Sequence, residues 1–249
     1  MIWYLYAVWV GDPFRVAGPA SALNSLSSLL QNQIPPSVAG VSNIYDAIIS
    51  TLELIAIGFA VSLVGIPVGF LMGRWRAAEA IIDPWINALY AIPMVALAPL
   101  IYLSIPGGGS FNGDLAIVFL MTFFTITINT FHGVKYVSNS YAEIGRSFCA
   151  SEAQFLRHIL LPASLPDIVS GMRLGLGRAV LGSIVAEVLL SHNGLGYMMI
   201  SFQSLTRVAD MEASISIIAL LGIFFLNTPR LVERSLFKWK QGERLSRNI

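Results

Sequence analysis

The sequence predicts an all-α integral membrane protein with five full spans, preceded by a short or partial first span. Three observations predict it. Of the 249 residues, 55% are hydrophobic and only 12% charged, against about a quarter charged in soluble domains, and the mean hydropathy is +0.71. Apolar stretches recur at lengths near the roughly 20 residues that cross a hydrocarbon core about 30 Å thick. Lysine and arginine are concentrated in every second connecting segment, as loops on one side of a bilayer require.

Other classes are disfavoured. A net charge of +1 argues against nucleic acid as the main partner. A single cysteine, Cys149, leaves neither a disulfide framework nor a thiolate metal site. His132, His158 and His192 are widely spaced and show no metal-ligand pattern. The first residues lack the basic region and cleavage site of a signal peptide.

Residues 2–10 (IWYLYAVWV) are apolar and aromatic but stop at Gly11-Asp12-Pro13. Nine helical residues reach only about 14 Å at ~1.5 Å per residue, so this is the end of a first span or a half-inserted anchor. Residues 14–46 are more polar and are broken at Gly18-Pro19 and Pro35-Pro36, both turn signals. They are expected to hold one short surface helix over 20–30. The first convincing span is 47–73, which carries Gly65, Gly69 and Gly73 at four-residue spacing, a small face on which another helix can sit closely. A second span over 81–105 is interrupted by Pro93 and Pro99 and ends at Pro106-Gly107-Gly108-Gly109. Kinked spans need neighbours or water to satisfy the freed backbone groups, so this one is expected to line something. Residues 115–130 and 168–190 form further spans, a polar loop covers 191–212, and residues 215–226 centre the last span. Trp3, Tyr4, Trp9, Trp85 and Tyr102 fall near span ends and read as an interfacial belt. Thr125 and Thr127 can bond carbonyls of their own helix.

The turn at Arg74 and Arg76, the interval 135–173 and the tail 230–249 hold the basic residues, whereas loops 11–46, 105–114 and 191–212 hold only Arg15 and Arg207. The first group, including the C-terminus, is therefore expected in the cytoplasm. Within it, residues 141–171 form a long polar interval. Ser151-Glu152-Ala153-Gln154 fits a capping box that starts a helix. Phe155, Leu156, Ile159 and Leu160 then form one apolar stripe. Pro162 is expected to end that helix, and Pro166-Asp167 to restart one. A helix lying on the bilayer is the plain reading; a docking helix for a cytoplasmic partner is the sharper one. His158 within it reads as a polar surface residue.

The residues here carry a resemblance. Glu143-Ile144-Gly145, then Cys149-Ala150, then Ile159-Leu160-Leu161-Pro162, resemble the EAA loop of binding-protein-dependent ABC importer permeases. Residues 51–73, 91–100 and 171–187, with Gly194-Leu195-Gly196-Tyr197, are similar to the nitrate/sulfonate/taurine/bicarbonate subgroup. Two positions depart from the pattern: Ile144-Gly145 replaces Ala-Ala, and Cys149 stands where the family has glycine. The resemblance implies a type I ABC importer transmembrane domain filling residues 1–249, with a cytoplasmic coupling loop at 141–166. It implies an inner-membrane location, a second permease copy, two cytoplasmic ATPase subunits and an external binding protein that delivers a small anionic solute. ATPase docking would fall to Glu143, Gly145, Cys149, Ala150, Ser151, Gln154, Phe155 and Leu156. No G-x-x-x-x-G-K-[ST] loop occurs, so the chain is expected to bind no cofactor and to leave ATP and Mg to its ATPase partners.

Glu53, Arg178 and Glu187 lie inside spans, where charge is costly and faces a bundle interior. Arg178 and Glu187, nine residues apart, do not share a helix face. Packing is the plain reading for all three. The functional one places them, with the kink at Pro93, along a translocation pathway. Two other classes compete with the permease: a membrane-embedded enzyme using the same carboxylates, and an ion-driven secondary transporter. The enzyme would turn over as a single subunit, and the secondary transporter would work without an ATPase.

Overall fold

The computed structural model describes residues 5, 9–11, 16–33, 43–105, 111–137 and 147–236, and helices make up most of them. Most of residues 2–10, the turn at 106–109 and the tail beyond 236 lie outside the described residues. Helix α1 (Pro19–Leu30) starts with proline in its first turn, where the missing N–H is not needed. Next come α2 (Ile44–Ser62), α3 (Gly65–Arg74), α4 (Arg76–Ala91), α5 (Met94–Ser104), α6 (Phe111–Lys135), α7 (Glu152–Phe155), a π turn (Leu156–Leu160), α8 (Leu161–Leu189), α9 (Gly194–Ser204) and α10 (Val208–Leu236).

Among the described residues, four helical runs are long and apolar enough to cross a bilayer: Ile44–Arg74, Phe111–Lys135, Glu152–Leu189 and Val208–Asn227. A fifth span arises if α4 and α5 count as one. That pair corrects the expectation of a single kinked helix over 81–105, because its halves are bent by 100°. The break has a local cause. Ile92, before Pro93, is extended at φ −76°, ψ 128°, the conformation that the following proline ring imposes. Pro99 lies inside α5 without breaking it. A gentler break separates α2 from α3. Pro67 offers no N–H, and the Leu63 carbonyl instead accepts Ile66 N–H at 2.9 Å, tightening one turn.

Two further expectations are corrected. Pro162 does not end a helix: residues 152–189 run on as α7, the π turn and α8. Pro162 falls at the second position of α8, and the wider π turn before it makes room for a ring that would strike an α-helical carbonyl. Residues 191–212 are not simply a polar loop. They contain α9, whose Leu195, Met198 and Phe202 are fully buried, and α10 already begins at Val208. Its period of buried residues at every third or fourth position is a short amphipathic helix that a polarity count obscures.

The chain divides into two compact units. Unit 1 comprises residues 1–58, 94–118 and 179–224, and unit 2 comprises residues 59–93, 119–178 and 225–249. Unit 1 is built on an apolar cluster in which Leu29 of α1 and Ile44 and Ala47 of α2 meet Leu195, Met198 and Phe202 of α9 and Ala213 and Ile217 of α10. Unit 2 is built on close helix contacts. A Cβ at Gly65 would lie 2.7 Å from the Thr127 hydroxyl, one at Gly69 2.9 Å from Thr130 Cβ, and one at Gly73 2.6 Å from Val134 Cβ. The small face of α3 is thus pressed against α6. Gly171 and Gly175 of α8 likewise sit on Asn129 and Ile126 of α6. Thr125 donates to the Met121 carbonyl at 3.1 Å, as expected, but the buried Thr127 hydroxyl has no such partner.

Gly69→Ala is expected to cost about 1–3 kcal/mol, the range for overpacking a filled contact, and to lower the thermal unfolding midpoint in detergent. Gly113→Ala, with nothing within 4 Å of the added methyl, should leave it unchanged.

Candidate docking segment and acidic cleft

Two groups of residues stand out, one in each unit. In unit 2, Phe148 and Cys149 form a turn ahead of α7. Cys149 has φ +49°, the left-handed region that favours glycine. The turn therefore keeps the backbone of a glycine position although cysteine occupies it. Ser151 then caps α7 reciprocally. Its hydroxyl accepts Gln154 N–H at 3.4 Å, and Gln154 Oε1 accepts Ser151 N–H at 2.9 Å, so two otherwise orphaned donors are satisfied. Arg74, the last residue of α3, pairs with Glu152, and Lys135 at the end of α6 pairs with Glu79 of α4.

The apolar stripe of this segment turns inward. Leu160 is buried and Phe155, Leu156 and Ile159 are half-buried, while Ser151, Glu152, Ala153, Gln154, Arg157 and His158 are exposed. His158 Nδ1 lies 3.2 Å from the Gln154 carbonyl of its own helix, a polar surface residue. The exposed apolar group is Phe148, 82% accessible, which is not among the residues of the EAA pattern. An aromatic residue in a polar extra-membrane turn was its signal. Glu143 and Gly145 lie outside the described residues.

In unit 1, a cleft of ≈ 290 Å³ is lined by Glu53, Phe111, Asp114, Glu187, Ser191 and His192, among others. No lysine or arginine lines it among the described residues. Glu187 is only 2% exposed. Its Oε2 accepts Gly196 N–H at 2.8 Å, and a side-chain hydrogen bond joins it to Thr51. Thr51 Oγ1 in turn accepts Leu195 N–H at 3.0 Å. These donors belong to the first turn of α9, whose own N-cap residue, Asn193, makes no side-chain cap. Helix α9 is therefore capped from α2 and α8, with a carboxylate at the positive end of its dipole. The approach requires Gly194, at φ +93°, and Gly196, where a Cβ would fall 2.9 Å from Glu187 Cβ.

Asp114 also faces Ser191 but is buried, and its Oδ1 has no hydrogen-bond partner. It was missed because it reads as a polar residue flanking a glycine-rich turn. Of the pathway candidates, the cleft brings Glu53 and Glu187 together. Arg178 and Pro93 belong to unit 2, are exposed, and do not line it. The cleft can accept hydrogen bonds and hold positive charge; the candidate docking segment presents an exposed aromatic side chain, Phe148, in the turn ahead of α7.

Two substitution series check these assignments. Glu187→Ala strands a buried N–H donor and is expected to cost about 1–3 kcal/mol, read as thermal stability in detergent, while Glu187→Gln, which keeps an acceptor, should cost less. At Cys149, stability should run Gly at or above Cys and well above Val, since a side chain in the left-handed region costs roughly 1–2 kcal/mol and β-branching worsens it.

A family model described as "binding-protein-dependent transport system inner membrane component" matches residues 65–235. The formylaminopyrimidine transport permease protein of Halalkalibacterium halodurans is 30% identical over 242 residues, covering 97% of this chain and 92% of that one. The taurine transport system permease protein of Escherichia coli is 29% identical over 209 residues, covering 82% and 75% respectively. Among solved structures, the MetNI methionine ABC transporter in an inward-facing conformation superposes with a TM-score of 0.67 over 77% of this chain and 95% of that one. At 18% identity this shows a shared fold. Helical spans, the glycine-packed α3 and the capped segment after Cys149 thus sit in a chain that belongs to the inner-membrane permease family of binding-protein-dependent ABC importers.

Proposed function

We propose that this permease subunit pairs with a second copy of itself, takes two ATPase subunits on its cytoplasmic face, and imports a small anionic solute handed over by an external binding protein. The observation that carries the reading is the capped docking segment. A helix with both ends of its capping box made, preceded by a turn that exposes Phe148, is an element built to be gripped. A lone exposed apolar side chain is ordinary on a protein surface; what sets Phe148 apart is its place in the turn directly ahead of the capped helix. The basic turns counted as cytoplasmic support the same side, since Arg74 and Glu152 are joined, and the C-terminus follows from the same charge rule.

Docking is assigned to Cys149, Ala150, Ser151, Gln154, Phe155 and Leu156, with Glu143 and Gly145 upstream. ATP and Mg belong to the ATPase partners. Phe155 and Leu156 hold the helix from beneath, being half-buried, and Phe148 provides the exposed contact. Glu53, Glu187, Arg178 and Pro93 are assigned to the pathway. The relatives named for taurine and formylaminopyrimidine transport support a small organic cargo, with sulfonate, nitrate and bicarbonate in the anionic class. One observation favours a second reading of the cargo. The cleft presents Glu53, Asp114 and Glu187 with no lysine or arginine among the described residues that line it, which suits a solute that also bears an ammonium or N–H donor.

The test is uptake into vesicles holding the permease with its ATPase partner, supplied with loaded binding protein. Uptake should require ATP and stop on its removal. Uptake driven by an ion gradient without the ATPase would identify a secondary transporter, and product formation by the purified subunit an enzyme. Phe148→Asp should abolish co-purification of the ATPase at unchanged membrane insertion, and Arg178→Ala should lower uptake of an anionic solute by about tenfold or more if it meets desolvated charge, equivalent to about 1.4 kcal/mol.

A further inference from the structure

The docking segment of unit 2 is mounted at two points of very different character. At its front, Glu152, the first residue of α7, pairs with Arg74, the last residue of α3. Arg74 is only partly exposed: its side chain is 28% accessible and its Nε is buried without a hydrogen-bond partner, so packing confines the guanidinium and its outer nitrogen makes the polar contact with Glu152. Behind Arg74, α3 is pressed on α6 at Gly65, Gly69 and Gly73, and close small-residue packing leaves little room for one helix to shift alone.

At the rear, the segment joins α8 through the π turn Leu156–Leu160, where Leu161 N–H donates to the Leu156 carbonyl five residues back. Such a turn interrupts the regular ladder, and Pro162 removes one more donor from it. Two consecutive departures from the α ladder make this join more compliant than an unbroken helix. A displacement applied to α7 therefore has a firm exit through Arg74 into α3 and α6 and a compliant one through the π turn into α8.

We propose that Arg74 is a positioning residue for coupling: through Glu152 it transfers movement of the docking helix to the α3–α6 pair. This rests on the permease reading above and adds to it the side chain by which motion enters the spans. The ion pair is accessible on the Glu152 side, 62% exposed, and exposed pairs contribute little to stability. Loss of coupling is therefore separable from loss of fold.

The experiment uses the assembled complex of permease, ATPase partner and loaded binding protein in vesicles. It compares wild type, R74E, E152R and the exchanged pair R74E/E152R, with R74Q and E152Q as milder removals should a reversal prevent assembly. Expected are ATPase co-purification and thermal midpoints like wild type in every variant. ATP-driven uptake and the stimulation of ATPase by loaded binding protein should fall about fivefold or more in the single variants, the lower end of ordinary coupling energies, and return in the exchanged pair. Single variants that transport like wild type, or an exchanged pair no better than either single, overturn the proposal. A lowered thermal midpoint in parallel with lost uptake overturns it also, since that marks a structural role. Absence of ATP-dependent uptake in the wild-type complex refutes the permease reading itself, and the role of Arg74 falls with it.

Discussion

The structure depends on close contact between backbones where hydrophobic burial gives no net drive. Lipid tails are as apolar as leucine, so spans associate by van der Waals contact and by small residues that let helices approach. Gly65, Gly69 and Gly73 on α3, with Gly171 and Gly175 on α8, meet successive turns of α6 at distances where any side chain would overlap. Unit 2 has α6 as its common partner for this reason. The large apolar side chains left outside, such as Leu103 and Ile223, are what a lipid-facing surface requires.

The second constraint is that polar groups taken out of water must find partners. Helix α9 illustrates it. A short helix in the interior of unit 1 begins with orphaned N–H groups, and its own Asn193 does not cap them. Thr51 and Glu187, distant in sequence, do so instead. A residue singled out as a candidate for transport is thus committed first to holding a helix in place, with its carboxylate at the edge of the acidic cleft. A cap role and a place in the pathway are compatible, because a carboxylate has several acceptor positions and the N–H of Gly196 occupies one.

Prolines show how tertiary context selects among local outcomes. Pro93 breaks its span, fixing Ile92 in an extended conformation. Pro99 lies inside α5 and Pro84 inside α4 without ending either. Pro162 falls where a π turn has already opened the ladder, so a residue that normally terminates a helix sits between the docking segment and the span. The result is a continuous helical run over residues 152–189 whose regular hydrogen-bond ladder is interrupted once, at the π turn.

The sequence by itself determined the membrane class, the approximate places of four spans, the small face of α3 and the start of the capped helix at Ser151. Each of these follows from local composition or from spacing along one helix: runs of apolar residues, glycines every fourth position, and a serine three residues before a glutamine. Only the tertiary structure decided the rest. It turned Phe155 and Leu156 inward and left Phe148 outside, because which side of a short helix is covered depends on residues far away in sequence. It hid α9 among apparently polar residues, since a helix buried on one side is recognised by its neighbours. It gathered Glu53, Asp114 and Glu187 around one cleft and left Arg178 out of it, which no spacing along a single helix could specify. At Cys149 the two levels meet. The motif marked a glycine position, and the backbone, at φ +49°, keeps that conformation because the capped helix that follows fixes the direction in which the chain must leave the turn.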